Sequence, residues 1–158
     1  MKLNSDIINY HFARKYPIQY IPGSGSESEL GRPLYYHPGT KQTAHLLLLR
    51  KPDVPDLPGT FLCFSDGPVR PSPQASVFVF PEQADREDVY NALQELYDYY
   101  DEWENTCMQI VEKFQDFRSL IRCTYQYFRI PLCLLDNQFN IIASEHEPDS
   151  PYALFSDG

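Results

Sequence analysis

Val89-Tyr90-Asn91-Ala92-Leu93-Gln94-Glu95-Leu96-Tyr97-Asp98-Tyr99-Tyr100-Asp101-Glu102-Trp103-Glu104 lies in the interval between Pro81 and Pro131, which contains no proline and no glycine. Both residues break helices, so their absence over 49 residues predicts a long helix. From Val89, apolar residues recur at Leu93, Leu96, Tyr100, Trp103, Cys107, Ile110, Phe114, Phe117 and Ile121. The steps alternate four and three over 32 residues, which is the a/d pattern of a coiled coil. The helix is expected to start near Ala84, with Asp85, Glu87 and Asp88 placed where the helix dipole favours acids. Charge and pattern blur near Asp116, so a break there and a second helical stretch to Arg129 are expected.

The charge along this helix is uneven. Between Glu82 and Glu104 there are nine acidic residues and one basic; between Asn105 and Arg129 there are four basic and two acidic. The positions flanking the seam hold Tyr97, Tyr99, Glu104, Thr106, Val111 and Lys113, so paired opposite charges are scarce and the apolar stripe is wide. Two arrangements satisfy such a stripe. In one, the helix packs on its own domain on one side and on the helix of a second copy on the other. In the other, it lies wholly on its own sheet. A helix of about 45 Å, at 1.5 Å per residue, is long for a small domain to cover. The expectation is therefore a homodimer, with Leu93, Leu96, Tyr100, Trp103, Cys107, Ile110 and Phe114 as the dimerisation and relay surface.

Upstream the chain is turn-rich, with eleven of the 14 prolines at or before Pro81. Ile7, Ile8 and Phe12 fit one face of a short helix with Ser5 or Asp6 as its cap. Ile18 to Ile21 reads as a short strand, and Gly23 to Ser28 as a loop. The runs Ala44 to Leu49, Thr60 to Phe64 and Ser76 to Phe80 do not alternate, which is how strands covered on both faces look. Residues 1–81 are thus expected to form a small α/β layer, and 82–129 a helical signalling and dimerisation segment. Downstream, Pro131 to Leu135 and Phe139 to Ala143 flank Asp136-Asn137-Gln138, a hairpin signal. A two-stranded hairpin is marginal alone. Residues 130–158, ending in a polar tail, read as the opening of a further module that is cut short.

Composition narrows the function. The 158 residues carry a net charge of -9, and an acidic surface repels phosphates, so direct binding of nucleic acid or anionic membrane is not expected. No apolar run reaches the length of a membrane span, and no secretory signal pattern opens the chain. The four cysteines, Cys63, Cys107, Cys123 and Cys133, have no zinc-site spacing and read as reduced thiols of a cytoplasmic protein. Gly39-Thr40-Lys41 lacks the rest of a phosphate loop, and Gly23-x-Gly25 the rest of a dinucleotide fingerprint. His45, in an apolar run, reads as a satisfied core histidine. Ser65-Asp66-Gly67-Pro68 reads as a tight turn in preference to the lip of a ligand crevice. The expectation is a non-enzyme without cofactor or metal.

Leu57-Pro58-Gly59-Thr60-Phe61-Leu62-Cys63-Phe64, then Val77 to Glu82, then Val89 to Glu104, is a strand, strand, helix series that resembles the N-terminal half of PucR/CdaR-like bacterial transcriptional regulators. Phe117 to Ile121 followed by Ile130-Pro131-Leu132-Cys133-Leu134-Leu135-Asp136-Asn137-Gln138-Phe139 is similar to the opening of their sensory module, although Arg129-Ile130 replaces the usual Gly-Asn. The resemblance implies an α/β (α+β) chain: a small α/β layer, a long coiled-coil-like helix, then a helix and β-hairpin opening a truncated PAS/GAF-like module. It implies sensing of a small-molecule or protein effector, dimerisation and relay to a DNA-binding domain outside this chain. The competing expectation is a free-standing small-molecule-binding or adaptor module.

Overall fold

The computed structural model describes residues 1–24, 29–39, 44–113 and 116–146. They form three helices and two sheets, a mixed α+β chain. The chain divides into two compact units, Met1–Asp98 and Tyr99–Gly158.

The first unit holds helix α1 (Ser5–Phe12) and strands β1 (Gln19–Ile21), β2 (Gly31–Tyr35), β3 (His45–Leu48), β4 (Gly59–Phe64) and β5 (Ala75–Phe80). The sheet order is β1-β5-β4-β3-β2. Strands β2 to β5 are parallel neighbours in chain order, and β1 runs antiparallel on β5. Every residue of β5 is buried, as the unalternating sequence requires of a strand covered twice. On one face Leu47, Phe61, Cys63, Ala75, Val77 and Val79 form a core closed by Ile21, Tyr36, Val54 and Val69. Alternation turns Leu46, Leu48, Leu62, Phe64, Phe78 and Phe80 the other way. There α1 lies, with Phe12 edge-on to Phe80 at 5.5 Å.

The two faces are closed by different means. Parallel strands are usually joined through a helix. Here the fully described β3–β4 and β4–β5 connectors, residues 49–58 and 65–74, contain none. Pro52, Pro55 and Pro58 in the first, and Pro68, Pro71 and Pro73 in the second, remove donors and forbid a helix. Each instead lays one valine, Val54 or Val69, over the sheet.

Two local details differ from the sequence reading, at the α1 cap and at β2, and the break expected near Asp116 is present. The α1 cap is Asn4, whose Oδ1 accepts from Ile7 N at 2.9 Å, and Ser5 and Asp6 lie within the helix. Strand β2 has no counterpart in the sequence reading, because Pro33 interrupts its pattern. It is tolerated since β2 is an edge strand, where a missing N–H costs little, and its register shifts between Gly31 and Leu34. The apolar spacing that runs unbroken from Val89 to Ile121 belongs to two helices, α2 (Arg86–Lys113) and α3 (Phe117–Phe128). Asp116 is extended, at φ -108° and ψ 108°, and its carboxylate accepts from Arg118 N and Ser119 N, so it starts a new helix. At 28 residues α2 is about 42 Å long. Its residues through Asp98 belong to the first unit and those from Tyr99 to the second.

In the second unit, α3 ends on Arg129 in the left-handed region, with its N–H bonded to Tyr125 O at 2.8 Å. The hairpin of β6 (Leu132–Leu135) and β7 (Ile141–Glu145) follows, pairing Leu132 with Glu145 and Leu134 with Ala143. Asp136 organises its turn by accepting from Gln138 N, Asn140 N and Asn140 Nδ2 at 2.8–2.9 Å. Helix α3 packs on the hairpin, burying Ala143, and Arg122 Nε meets Glu145 Oε1 at 2.9 Å.

Candidate functional site

The residues expected to form the dimerisation and relay surface fall into two groups. Leu93 and Leu96 are buried in the first unit. They lie on the half of α2 that is keyed to the sheet by Tyr97, whose hydroxyl donates to Leu30 O and Gly31 O, both at 2.9 Å. Burial pushes the Tyr97 phenol far above its ordinary pKa of 10, against the smaller opposing pull of Arg32. Arg32, on β2, also reaches Gln94 Oε1 at 3.1 Å and Asp98 Oδ1 at 2.6 Å. Tyr35 stacks on Tyr90 at 5.4 Å.

Tyr100, Trp103 and Cys107 belong to the second unit and face α3. Phe128 is the hub: its ring lies 5.4 Å from Tyr100 and 5.1 Å from Trp103, edge-on to the latter. Trp103 Nε1 donates to Thr124 Oγ1 at 3.3 Å, and the Cys107 thiol sits 3.9 Å from the same hydroxyl. Tyr99 bonds the Tyr127 carbonyl and packs on both Tyr127 and Phe128. Ile110 is half-buried, and Phe114 lies outside the described residues. The a/d residues of α2 through Cys107 are thus packed within one protomer. Exposed beside them are Met108 at 53%, Val111 at 48% and Phe117 at 60%. Val111 was legible as a flanking position of the seam; Met108 carried no signal, because it falls outside both the a/d stripe and its flanking positions.

The chemistry-bearing residues have structural partners. Asp66 Oδ1 accepts from Glu82 N at 3.0 Å, and Ser65 Oγ from Gly67 N at 3.1 Å, so this strand-end loop is held as a turn. His45 Nδ1 bonds Arg32 O at 2.8 Å. Among the described residues no group of three His, Cys, Asp or Glu could hold a metal ion. Asp116 is held below the ordinary carboxylate range first by the Ser119 hydroxyl and then by backbone amides, Asp136 first by the Asn140 side chain. Both shifts belong to caps and turns.

A concavity lies on the hairpin. It holds about 600 Å³ and is lined by Ile130, Pro131, Leu132, Leu135, Phe139 and Ile141, with Ser144, Glu145 and His146 at one side. Its size is that of small-molecule pockets. Phe139, at the turn, is 83% exposed and sits at φ 64°. A smaller hollow of about 320 Å³ lies between Val111 and Phe117.

Fold and surface together define a mixed α+β chain of two compact units sharing one helix. No protein-family model, no curated protein and no solved structure matches it. Among the described residues no helix is long and apolar enough to cross a membrane.

Proposed function

We propose that this chain is the signal-sensing, dimerising and relaying N-terminal region of a cytoplasmic, PucR/CdaR-like bacterial transcriptional regulator. Its DNA-reading domain lies outside the chain, and this region catalyses nothing. One observation carries the reading: the unbroken helix α2 supplies residues to both compact units, so a change of packing in either acts on the same helix. The resemblance of Thr60 to Phe64, Val77 to Glu82 and Val89 to Glu104 to those regulators supports it. In this reading α3 and the hairpin open a PAS/GAF-like module, and its effector is a small molecule or a protein. The homodimer forms along the rear of α2 and the start of α3, where Met108 and Val111 on the first and Phe117 on the second are apolar and exposed. Leu93, Leu96, Tyr100, Trp103 and Cys107 act as the relay, since they pack the helix within the protomer.

The test is a fusion of residues 1–158 to a DNA-binding domain that represses a reporter only as a dimer. Repression is expected, together with dimer formation in sedimentation at micromolar concentration. A chain that gives no repression and sediments as a monomer at high micromolar concentration overturns the reading. The hairpin groove of about 600 Å³ favours a second reading, a free-standing small-molecule-binding or adaptor module. That reading predicts the monomer, and a thermal shift with apolar small molecules that Leu135→Asp abolishes.

A further inference from the structure

The groove on the hairpin has two unlike ends. Cross-strand pairing sets Cys133 against Ser144 and Leu135 against Ile141, so the groove is polar-edged where the strands open and apolar where they turn. Leu135, Phe139 and Ile141 wall the turn end, and Ser144, Glu145 and His146 stand at the other. The one carboxylate of the lining, Glu145, is already balanced by Arg122, whose Nε lies 2.9 Å from it. A ligand carrying a full charge would lose hydration here with no opposite charge waiting for it, whereas a neutral hydrogen-bonding end loses little. At about 600 Å³ the groove has the size of a small-molecule pocket. Two turns of a partner helix, about 10 Å across and about 11 Å long, fill about 850 Å³, which exceeds it.

The backbone at the rim points the same way. Phe139 is held at φ 64°, a left-handed conformation that a bulky aromatic rarely adopts, and it is 83% exposed. Asp136 fixes the turn on both sides of it, by accepting from Gln138 N and Asn140 N. Strain of this kind persists where the surrounding structure over-determines it, and it clusters at ligand clamps. Here it sets a solvent-exposed apolar ring at the rim of an apolar groove. We propose that the groove binds a neutral amphiphile, an apolar chain ending in one uncharged hydroxyl or amide, with the chain under Phe139 and the polar end beside Ser144 and His146. The inference deepens the sensory reading above by naming the class of effector, and its regulatory meaning rests on that reading.

Cys133, exposed and part of the groove wall, reports occupancy. The full chain is incubated with hexanol, octanol or decanol, and the rate of Cys133 alkylation by iodoacetamide is read by peptide mass. Cys107, outside the groove lining, is the internal control and keeps its rate. Each buried methylene contributes about 0.8 kcal/mol, so the alcohol concentration giving half protection falls about fifteenfold from hexanol to octanol and again to decanol. Octanoate and octylammonium at neutral pH protect about tenfold less than octanol. Phe139→Gly removes the ring and suits the left-handed backbone. It raises the half-protection concentration about tenfold, while the melting temperature of the free chain does not fall. The proposal is overturned if decanol leaves the Cys133 rate unchanged, if Phe139→Gly is protected as well as wild type, or if octanoate or octylammonium protects as well as octanol. Shielding of Cys133 that grows with protein concentration in the absence of alcohol also overturns it, since that is the mark of a second copy in the groove. Dimerisation is read separately by the reporter fusion, so absence of protection leaves that reading standing, and a monomeric chain leaves this one standing.

Discussion

Tyr97→Phe removes one oxygen from the place where α2 is keyed to the sheet, and its cost follows from the partners left behind. The ring is fully enclosed, so the substitution opens no route for water and leaves the apolar packing intact. The hydroxyl proton is shared between Leu30 O and Gly31 O at 2.9 Å each. Leu30 O also accepts the Leu3 amide at 2.9 Å, so it keeps one donor when the phenol is gone. The loss is therefore about one net hydrogen bond plus partial orphaning of one buried carbonyl, about 1–2 kcal/mol together. Urea unfolding followed by circular dichroism should show the midpoint falling with an unchanged slope. The phenol adds a pH signature. Its folded pKa is raised above the ordinary value of 10, so its contribution is complete below pH 10 and is lost as pH rises further. Wild type should lose this increment of stability above pH 10, and Tyr97→Phe should lack it. A variant as stable as wild type at pH 7, with the same alkaline slope, would refute the argument that this hydroxyl fixes α2.

Thr60 is buried, and among the described residues its hydroxyl has no hydrogen-bond partner; Thr60→Val should raise stability by about 1 kcal/mol, read as a later urea midpoint. Gly23 passes so close to β5 that a Cβ would stand 2.5 Å from the Ala75 carbonyl carbon and oxygen, so Gly23→Ala should cost about 3 kcal/mol, visible as a lowered melting temperature. Trp103→Ala removes the ring that packs on Phe128 and bonds Thr124, and should destabilise the second unit by about 3 kcal/mol; hydrogen exchange should rise in α3 and spare β4 and β5.

What the sequence made legible depended on how local the cause was. The runs Thr60 to Phe64 and Ser76 to Phe80 announce strands buried on both faces because nothing polar alternates within them, and β4 and β5 are such strands. The hairpin was legible from Asp136-Asn137-Gln138 between two apolar runs, although Phe139 and Asn140, read as the start of the second strand, belong to the turn, where Asn140 bonds Asp136. Strand β2 was hidden, since Pro33 is acceptable only at an edge, and edges are decided by distant neighbours. The a/d spacing of α2 was legible, but what covers it was not. The pattern is indifferent to whether the facing surface is β2, α3 or a second copy. Only the folded chain sets Tyr97 beside Leu30 and Trp103 beside Phe128.

The proline-rich coils between β3, β4 and β5 bear on how quickly the sheet can assemble. Paired residues such as Leu47 and Phe61, or Phe61 and Val77, stand 14 and 16 positions apart along the chain. A helical crossover would roughly double that separation, since a strand–helix–strand unit takes about 30 residues. Shorter separations lower the entropy lost in closing each loop and raise the folding rate at a given stability. The parallel ribbon from β3 to β5 can therefore zip strand by strand from short-range closures, while the antiparallel β1, whose residue Tyr20 pairs with Phe78 of β5 across 58 positions, joins late.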